Sequence, residues 1–337
     1  MKKTVLAAVL AALIAAPVLA NDSTAELAAG GLVLTRTDAI EMRSEDLFIS
    51  AEAVRVRYVF LNTSGKPVTT RVAFPMPDLG GEYFFESDTA IPDREAPANI
   101  LDFRTLVNGK PVVMDVEQRA IANGVDQTAW LMAHGIPLAL HLDGVGDRLD
   151  ALPRAAQEEA MRLGIVTPQE FDQGKGWERH LTPAWILKTT FHWEQTFPAG
   201  TEVVVEHRYR PAIGGSVDTM VGSPDWERDD YARTMRQRYC VDESFVEAVK
   251  KGKRGVASMG YTERRIAYVL KTGGNWAKPI GDFRMVIDKG DTRNLVSFCA
   301  SGVKKISPTR FEVRKTDWRP EQDLYILLLR PHGLPDE

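Results

Sequence analysis

The sequence predicts a mainly β protein, built from antiparallel β-sandwich regions of immunoglobulin-like or related type and interrupted by a helical insertion. Three observations predict it. Apolar and polar residues alternate with period two from Leu32 to Phe74 and again from Thr182 to Tyr209, the pattern of half-buried strands. Five short apolar runs punctuated by turn residues follow between Arg264 and Leu329, at the spacing of a small sandwich. Within the first strand region, roughly residues 126–171 switch to recurrence at three or four positions, which is helical.

The first twenty residues are set apart from the rest. Lys2 and Lys3 precede an apolar run from Val5 to Ala16, and Pro17-Val18-Leu19-Ala20 places small side chains before Asn21. This is the pattern of a secretory signal peptide cut after Ala20. Its twelve apolar residues reach about 18 Å as a helix, short of the roughly 30 Å core of a bilayer. No stable membrane insertion is therefore expected once the leader is gone, and the expected location is periplasmic or secreted.

In the mature chain Val54, Val56 and Tyr58 point one way and Arg55 and Arg57 the other. The polar turn Asn62 to Pro67 returns the chain as Val68 to Phe74, which predicts a hairpin. A second hairpin is predicted between Phe103–Val107 and Val112–Val116, because Asn108-Gly109 tolerates positive φ. In the insertion, Trp130, Leu131 and His134 share a helical face that Gly135 and Pro137 end. Leu149, Leu152, Ala156, Ala160 and Leu163 mark further helix, with Pro153 near a start where its missing amide costs nothing. Strands resume at Thr182–Phe197 and Thr201–Tyr209, and a polar helical segment is predicted from Asp225 to Lys250. The later strands fall at about Arg264–Leu270, Phe283–Asp288, Leu295–Cys299, Arg310–Arg314 and Leu324–Leu329. The expected division is a leader (1–20), an N-terminal β-sandwich domain (21–215) holding the insertion, and a C-terminal β-rich domain (216–337) with a leading helical segment.

The 337 residues are 44% hydrophobic and 26% charged, enough apolar material for a real core. Lys and Arg number 42 against 46 Asp and Glu, and loss of the leader's two lysines brings the net charge from −4 to −6. No nucleic-acid partner is expected from that balance. The dense basic patch, Lys250-Lys251-Gly252-Lys253-Arg254, reads as a solvated loop. Cys240 and Cys299 are an even pair in an exported chain, which reads as a disulfide, and neither has the C-x-x-C context of a redox catalyst.

Histidine offers one tempting metal pair. A two-residue turn at Ala199-Gly200 would set His192 directly opposite His207. A three-residue loop from Pro198 to Gly200 instead aligns Phe191 with His207 and Trp193 with Val205, giving one coherent apolar face. The second register is preferred, and no metal site is expected. Asp143, Asp147 and Asp150 lack the spacing of a calcium loop, and Asp225, Glu227, Asp229 and Asp230 read as a helix-start charge bias. No G-x-S-x-G elbow, S-x-x-K pair, P-loop or dinucleotide fingerprint occurs, and no cofactor is expected. Seven tryptophans are present, and Trp177, in the polar stretch Gly174 to His180, is the best candidate for an exposed ligand platform. Asp172, Glu178 and His180 join it as candidate ligand-site residues.

Several stretches resemble one family of bacterial exported proteins, the domain-of-unknown-function 4424 family. They are Asn21 to Leu27, Gly30 to Leu34, Ile40 to Leu47, Val54 to Tyr58, Arg71 to Pro77, Phe197 to Gly200, Asn275 to Ile280 and Ser307 to Glu312. The resemblance implies an exported, mainly β protein and adds weight to a Cys240–Cys299 bond, and it carries no activity onto any residue. The expected function is a non-catalytic binding or envelope-assembly module whose partner is an envelope protein or a glycan. The alternative is a hydrolase of unfamiliar type, acting on envelope polymers in a cleft beside the helical insertion.

Overall fold

A computed structural model describes residues 23–28, 31–81, 90–172, 176–228, 230–255, 257 and 259–333; the expected leader lies outside them. Strand accounts for 44% and helix for 18%, so the chain is mainly β. It opens with β1 (Ser23–Ala28), β2 (Gly31–Thr35), β3 (Ile40–Ile49), β4 (Val54–Asn62), β5 (Val68–Pro75) and the short β6 (Leu79–Gly80). In β4 the predicted alternation is explicit: Val54, Val56 and Tyr58 are buried while Arg55 and Arg57 are exposed. Next come β7 (Arg104–Val107) and β8 (Lys110–Pro111), joined by Asn108 and Gly109 at φ 49° and 75°. That is the predicted tight turn, but the pairing is shorter than expected. The chain leaves it after Pro111 to form β9 (Asp115–Ala122) and β10 (Val125–Asp126).

The insertion holds α1 (Thr128–Ala133), α2 (Val145–Asp150) and α3 (Arg154–Leu163). Pro153, at φ −54°, caps the start of α3. Residues 166–171 are strand, not helix: β11 (Val166–Asp172) pairs with β12 (Trp177–Pro183) as a separate two-stranded sheet. Then follow β13 (Ile186–Phe197), β14 (Glu202–Tyr209) and β15 (Gly214–Ser216), and helices α4 (Asp230–Tyr239) and α5 (Glu243–Lys253). Cys240, at φ 52°, breaks the predicted helical segment in two, and the Asp242 side chain restarts it by accepting the Phe245 amide at 2.8 Å. The C-terminal strands are β16 (Tyr261–Tyr268), β17 (Ile280–Asp288), β18 (Leu295–Phe298), β19 (Lys304–Lys305), β20 (Arg310–Trp318) and β21 (Leu324–Pro331).

Two sheets face each other across the main core. One runs β10-β9-β13-β5-β1-β2, with β6 also against β13; the other runs β19-β20-β17-β3-β4-β14-β7-β8. A smaller sheet, β15-β16-β21-β18, packs beneath α4 and α5. The pairings are antiparallel except that β17 lies parallel to β3. The eight-stranded sheet thus runs across the expected boundary at 215/216. Where it does, β3 bulges between Met42 and Ser44, and a Cβ on Gly281 would sit 2.6 Å from the Arg43 carbonyl oxygen. Only glycine allows that approach.

Two predicted pairings are corrected. β4 and β5 do not form a hairpin but lie in opposite sheets, and so do β13 and β14. Phe191 pairs with Phe74 and Val116, and His207 with Val56 and Thr105, in place of the expected alignment with each other. The apolar face was read correctly and its use was not. Residues alternate identically whether a strand's partner lies beside it or across the core. His192 and His207 consequently sit in different sheets, on β13 and β14.

One residue holds the two corners together. Asn62 is fully buried, and its amide donates to the carbonyls of Lys66 (2.9 Å) and Phe197 (2.8 Å) while its oxygen accepts from the Ser64 amide and hydroxyl (2.9 and 2.7 Å). Its own carbonyl accepts the Gly200 amide at 2.9 Å. Between the sheets, the His207 ring is enclosed by Tyr58, Phe74, Phe103 and Trp193, with centroids 4.7–5.8 Å away, and its Nδ1 bonds the Thr105 hydroxyl at 2.9 Å. Trp276 reaches the same core from the C-terminal half, 4.4 Å from Phe60, and the Tyr58 and Tyr268 hydroxyls meet at 3.1 Å. Cys240 and Cys299 are bonded, with Cα atoms 5.1 Å apart, so the loop after α4 is tied to the end of β18.

Candidate functional site

Two places bring chemistry together. The first is the β11–β12 hairpin, where the sequence-predicted residues lie. Trp177 opens β12 and is 77% exposed. Its Cα partner across the hairpin is Asp172, whose side chain lies outside the described residues. Glu178 and His180, two apart on a strand, share a face, with Glu178 Oε2 3.7 Å from His180 Nε2. The other ring nitrogen, Nδ1, meets Asp150 Oδ2 at 2.8 Å, and Asp150 Oδ1 accepts the Leu181 amide at 2.7 Å. Asp150, at the end of α2, therefore orients the imidazole. Its acidic cluster was visible in sequence, but thirty residues separate it from His180, and only the packing of α2 on β12 joins them. Among the described residues, no group of three or more His, Cys, Asp or Glu is placed to hold a metal ion.

The second place, which sequence reading missed, is a cavity of about 540 Å³ where the two large sheets and the small one come together. This volume lies within the ordinary range for small-ligand sites. Its walls mix apolar side chains, Met76 after β5, Ile100 and Leu101 before β7, Phe191 on β13 and Tyr209 on β14, with polar groups such as Thr189 and the backbone of Gly80 and Gly81. Burial pushes the Tyr209 hydroxyl far above the usual phenol range, so it stays neutral. Three charges reach the edge, Asp78, Arg238 and Arg265. Two are already committed. Asp78 takes Lys188 Nζ at 2.7 Å, and Arg265 donates Nε to Glu263 at 3.0 Å and also bonds the Tyr231 hydroxyl. Glu263 is fully buried, and burial together with that carboxylate pushes the Tyr231 hydroxyl up.

Arg238 differs. Its guanidinium lies 5.1 Å from the Tyr325 ring centroid and bonds the neighbouring Tyr239 hydroxyl, and it forms no ion pair among the described residues. Tyr239, the next residue, packs into the small core, and Cys240 after it is bonded to Cys299. The position of Arg238 is thus set from both sides: a helix face anchored by Met235 and Tyr239, and a covalent crosslink at the helix end. The sequence showed a polar helical segment here and the cysteine pair. It carried no signal that α4 would lie over a gap left between β13, β14 and β16.

No curated protein matches the chain. Among solved structures, a "putative nutrient binding protein" from Legionella pneumophila is similar at 18% identity and a TM-score of 0.43, over 87% of this chain and 68% of that one. A family model described as a domain of unknown function, DUF4424, matches residues 20–327. The match spans nearly all of the described fold, both large sheets and the disulfide included, and the chain belongs to the DUF4424 family.

Proposed function

We propose that the protein is an exported, periplasmic binding module, non-catalytic, that holds a small amphipathic anion in the cavity between the sheets. The observation that carries this reading is Arg238: a cation with no carboxylate partner among the described residues, beside a cavity that joins an apolar patch to polar walls. An apolar body would lie against Phe191, Tyr209 and Met76, and a carboxylate or similar head would accept the guanidinium fork. The leader pattern and the Cys240–Cys299 bond support the compartment, since disulfides persist in oxidising spaces. Among the described residues, no helix is long and apolar enough to cross a membrane.

The test is calorimetric titration of the purified chain with a panel of aliphatic and aromatic carboxylates and their amides. A carboxylate is expected to bind and its amide to bind weakly. Arg238→Gln should weaken the carboxylate about 10–100-fold, the worth of one charge-assisted hydrogen bond. Equal affinity for acid and amide would end this reading.

A second reading rests on the oriented His180. With Asp150 at Nδ1 and Glu178 near Nε2, the hairpin has the parts of a general base beside the helical insertion, as a hydrolase of envelope polymers would need. Hydrolysis of a peptidoglycan or glycan substrate that is lost in His180→Ala would favour it over the cavity.

A further inference from the structure

The outer face of the eight-stranded sheet carries an arrangement that stability alone does not favour. In register, Arg104 lies opposite Arg208, Arg208 opposite Arg55, and Arg55 opposite Phe48. Neighbouring strands lie about 4.8 Å apart, so three arginine positions fall within about 10 Å. The next row on the same face runs Leu106, Glu206, Arg57, Asp46. Like charges directly opposite one another destabilise a sheet, and a merely solvated face would alternate its signs.

Nearby carboxylates cancel the row only at Arg104. Arg104 is paired with Asp102 at 3.0 Å, and Asp46 is engaged by Arg284 at 3.2 Å. Arg55, Arg57 and Arg208 form no ion pair among the described residues, and Glu206 alone remains to offset them. Arg55 is held in place by the Phe48 ring, with its guanidinium carbon 4.3 Å from the centroid. Together these side chains line a groove of about 520 Å³, in which half-buried Phe48 and Leu106 supply apolar surface between the cations. The whole chain is net acidic, so this is a local surplus and not a share of general basicity.

We propose that this face docks an acidic segment of a partner protein, one that mixes Asp and Glu with apolar side chains. Arginine forks match carboxylates two bonds at a time. Phe48 and Leu106 give the apolar side chains of a peptide somewhere to sit, which a purely charged polysaccharide or a phospholipid headgroup would not use. The surface is separate from the cavity, and the two proposals stand or fall independently.

The test uses the full mature chain and a fluorescein-labelled peptide of Glu and Asp interspersed with Leu and Phe, followed by anisotropy. Binding is expected at low salt and should weaken steeply as salt rises. It should fall at least tenfold in R55Q/R208Q and in a peptide with Gln and Asn for the acids. The thermal midpoint of R55Q/R208Q should be equal to or above that of the parent, because like-charge opposition has been removed; this separates lost docking from lost folding. Binding of the neutral peptide with equal affinity, or unchanged binding by the double variant, overturns the proposal. Preference for heparin or for phosphatidylglycerol vesicles over the peptide overturns it as well.

Discussion

Replacing Asn62 tests whether the two sheets are held in register by a donor or by packing. In Asn62→Ala the bonds to the Lys66 carbonyl and to Ser64 are lost, and the Phe197 carbonyl, whose bond is buried, loses its side-chain donor. About 1 kcal/mol each for the Lys66 bond and the two Ser64 bonds and about 1–3 kcal/mol for the Phe197 carbonyl give about 4–6 kcal/mol. That is a large part of the roughly 5–15 kcal/mol by which a folded domain persists. At about 2–4 °C per kcal/mol for a large domain, the midpoint should fall by about 10 °C. Asn62→Asp sharpens the test because it keeps shape and volume. It still accepts from Ser64, but it sets a charged oxygen against two carbonyls. If the donor is what matters, the aspartate variant is at least as unstable as the alanine one; if packing is what matters, it stays close to the parent. Urea unfolding followed by circular dichroism, at pH 7.5, reads both. An Asn62→Asp loss below about 0.5 kcal/mol, the scatter of ordinary surface changes, would refute the account of the corners.

Further outcomes follow from other parts of the fold. C240S/C299S frees a 59-residue loop, and the chain-entropy relation sets the loss at about 4 kcal/mol; thermal melts of parent and variant should differ accordingly, and equal melts would show that the crosslink is idle. Burial holds the His192 imidazole below the usual histidine range, the nearby Asp115 opposing in part. Below about pH 6.5 the unfolded chain therefore takes up a proton that the folded one refuses. Stability should fall between pH 7.5 and 5.5, and fall less in His192→Leu; identical slopes would rule this out. Gly281→Ala forces a Cβ against the Arg43 carbonyl and should cost about 1–3 kcal/mol as overpacking does, seen as a lower urea midpoint.

Local chemistry along this chain was legible, and long-range partnership was not. The Asn108-Gly109 turn, the break after α1, the start at Pro153 and the C-terminal strands were each readable, because propensity and periodicity act over a few residues. The corners at Asn62 and at Pro198 were misread as hairpins. A polar turn reports that the chain reverses and is silent on whether its arms bond to each other or face each other. The parallel seating of β17 beside β3 depends on residues more than 200 positions apart, with no local trace beyond the small size of Gly281. The candidate site shows the same limit. Trp177, Glu178 and His180 were found as a polar stretch near glycine, whereas Asp150 and Arg238 acquire their roles only through the packing of α2 and α4.

The pairing of β17 with β3 also orders the events of biogenesis. Residues 282–287 lie 238 positions beyond their partners Ser44 to Ile49, so the edge of β3 stays unsealed until that distant segment arrives, at the ribosome or after export. Until then the unpaired backbone edge of β3 lies open to any other extended segment, a state that invites aggregation. Completion of the sheet must await nearly the whole polypeptide. The first 215 residues expressed alone would expose that unsealed margin, and a holding chaperone is the natural guardian of the interval.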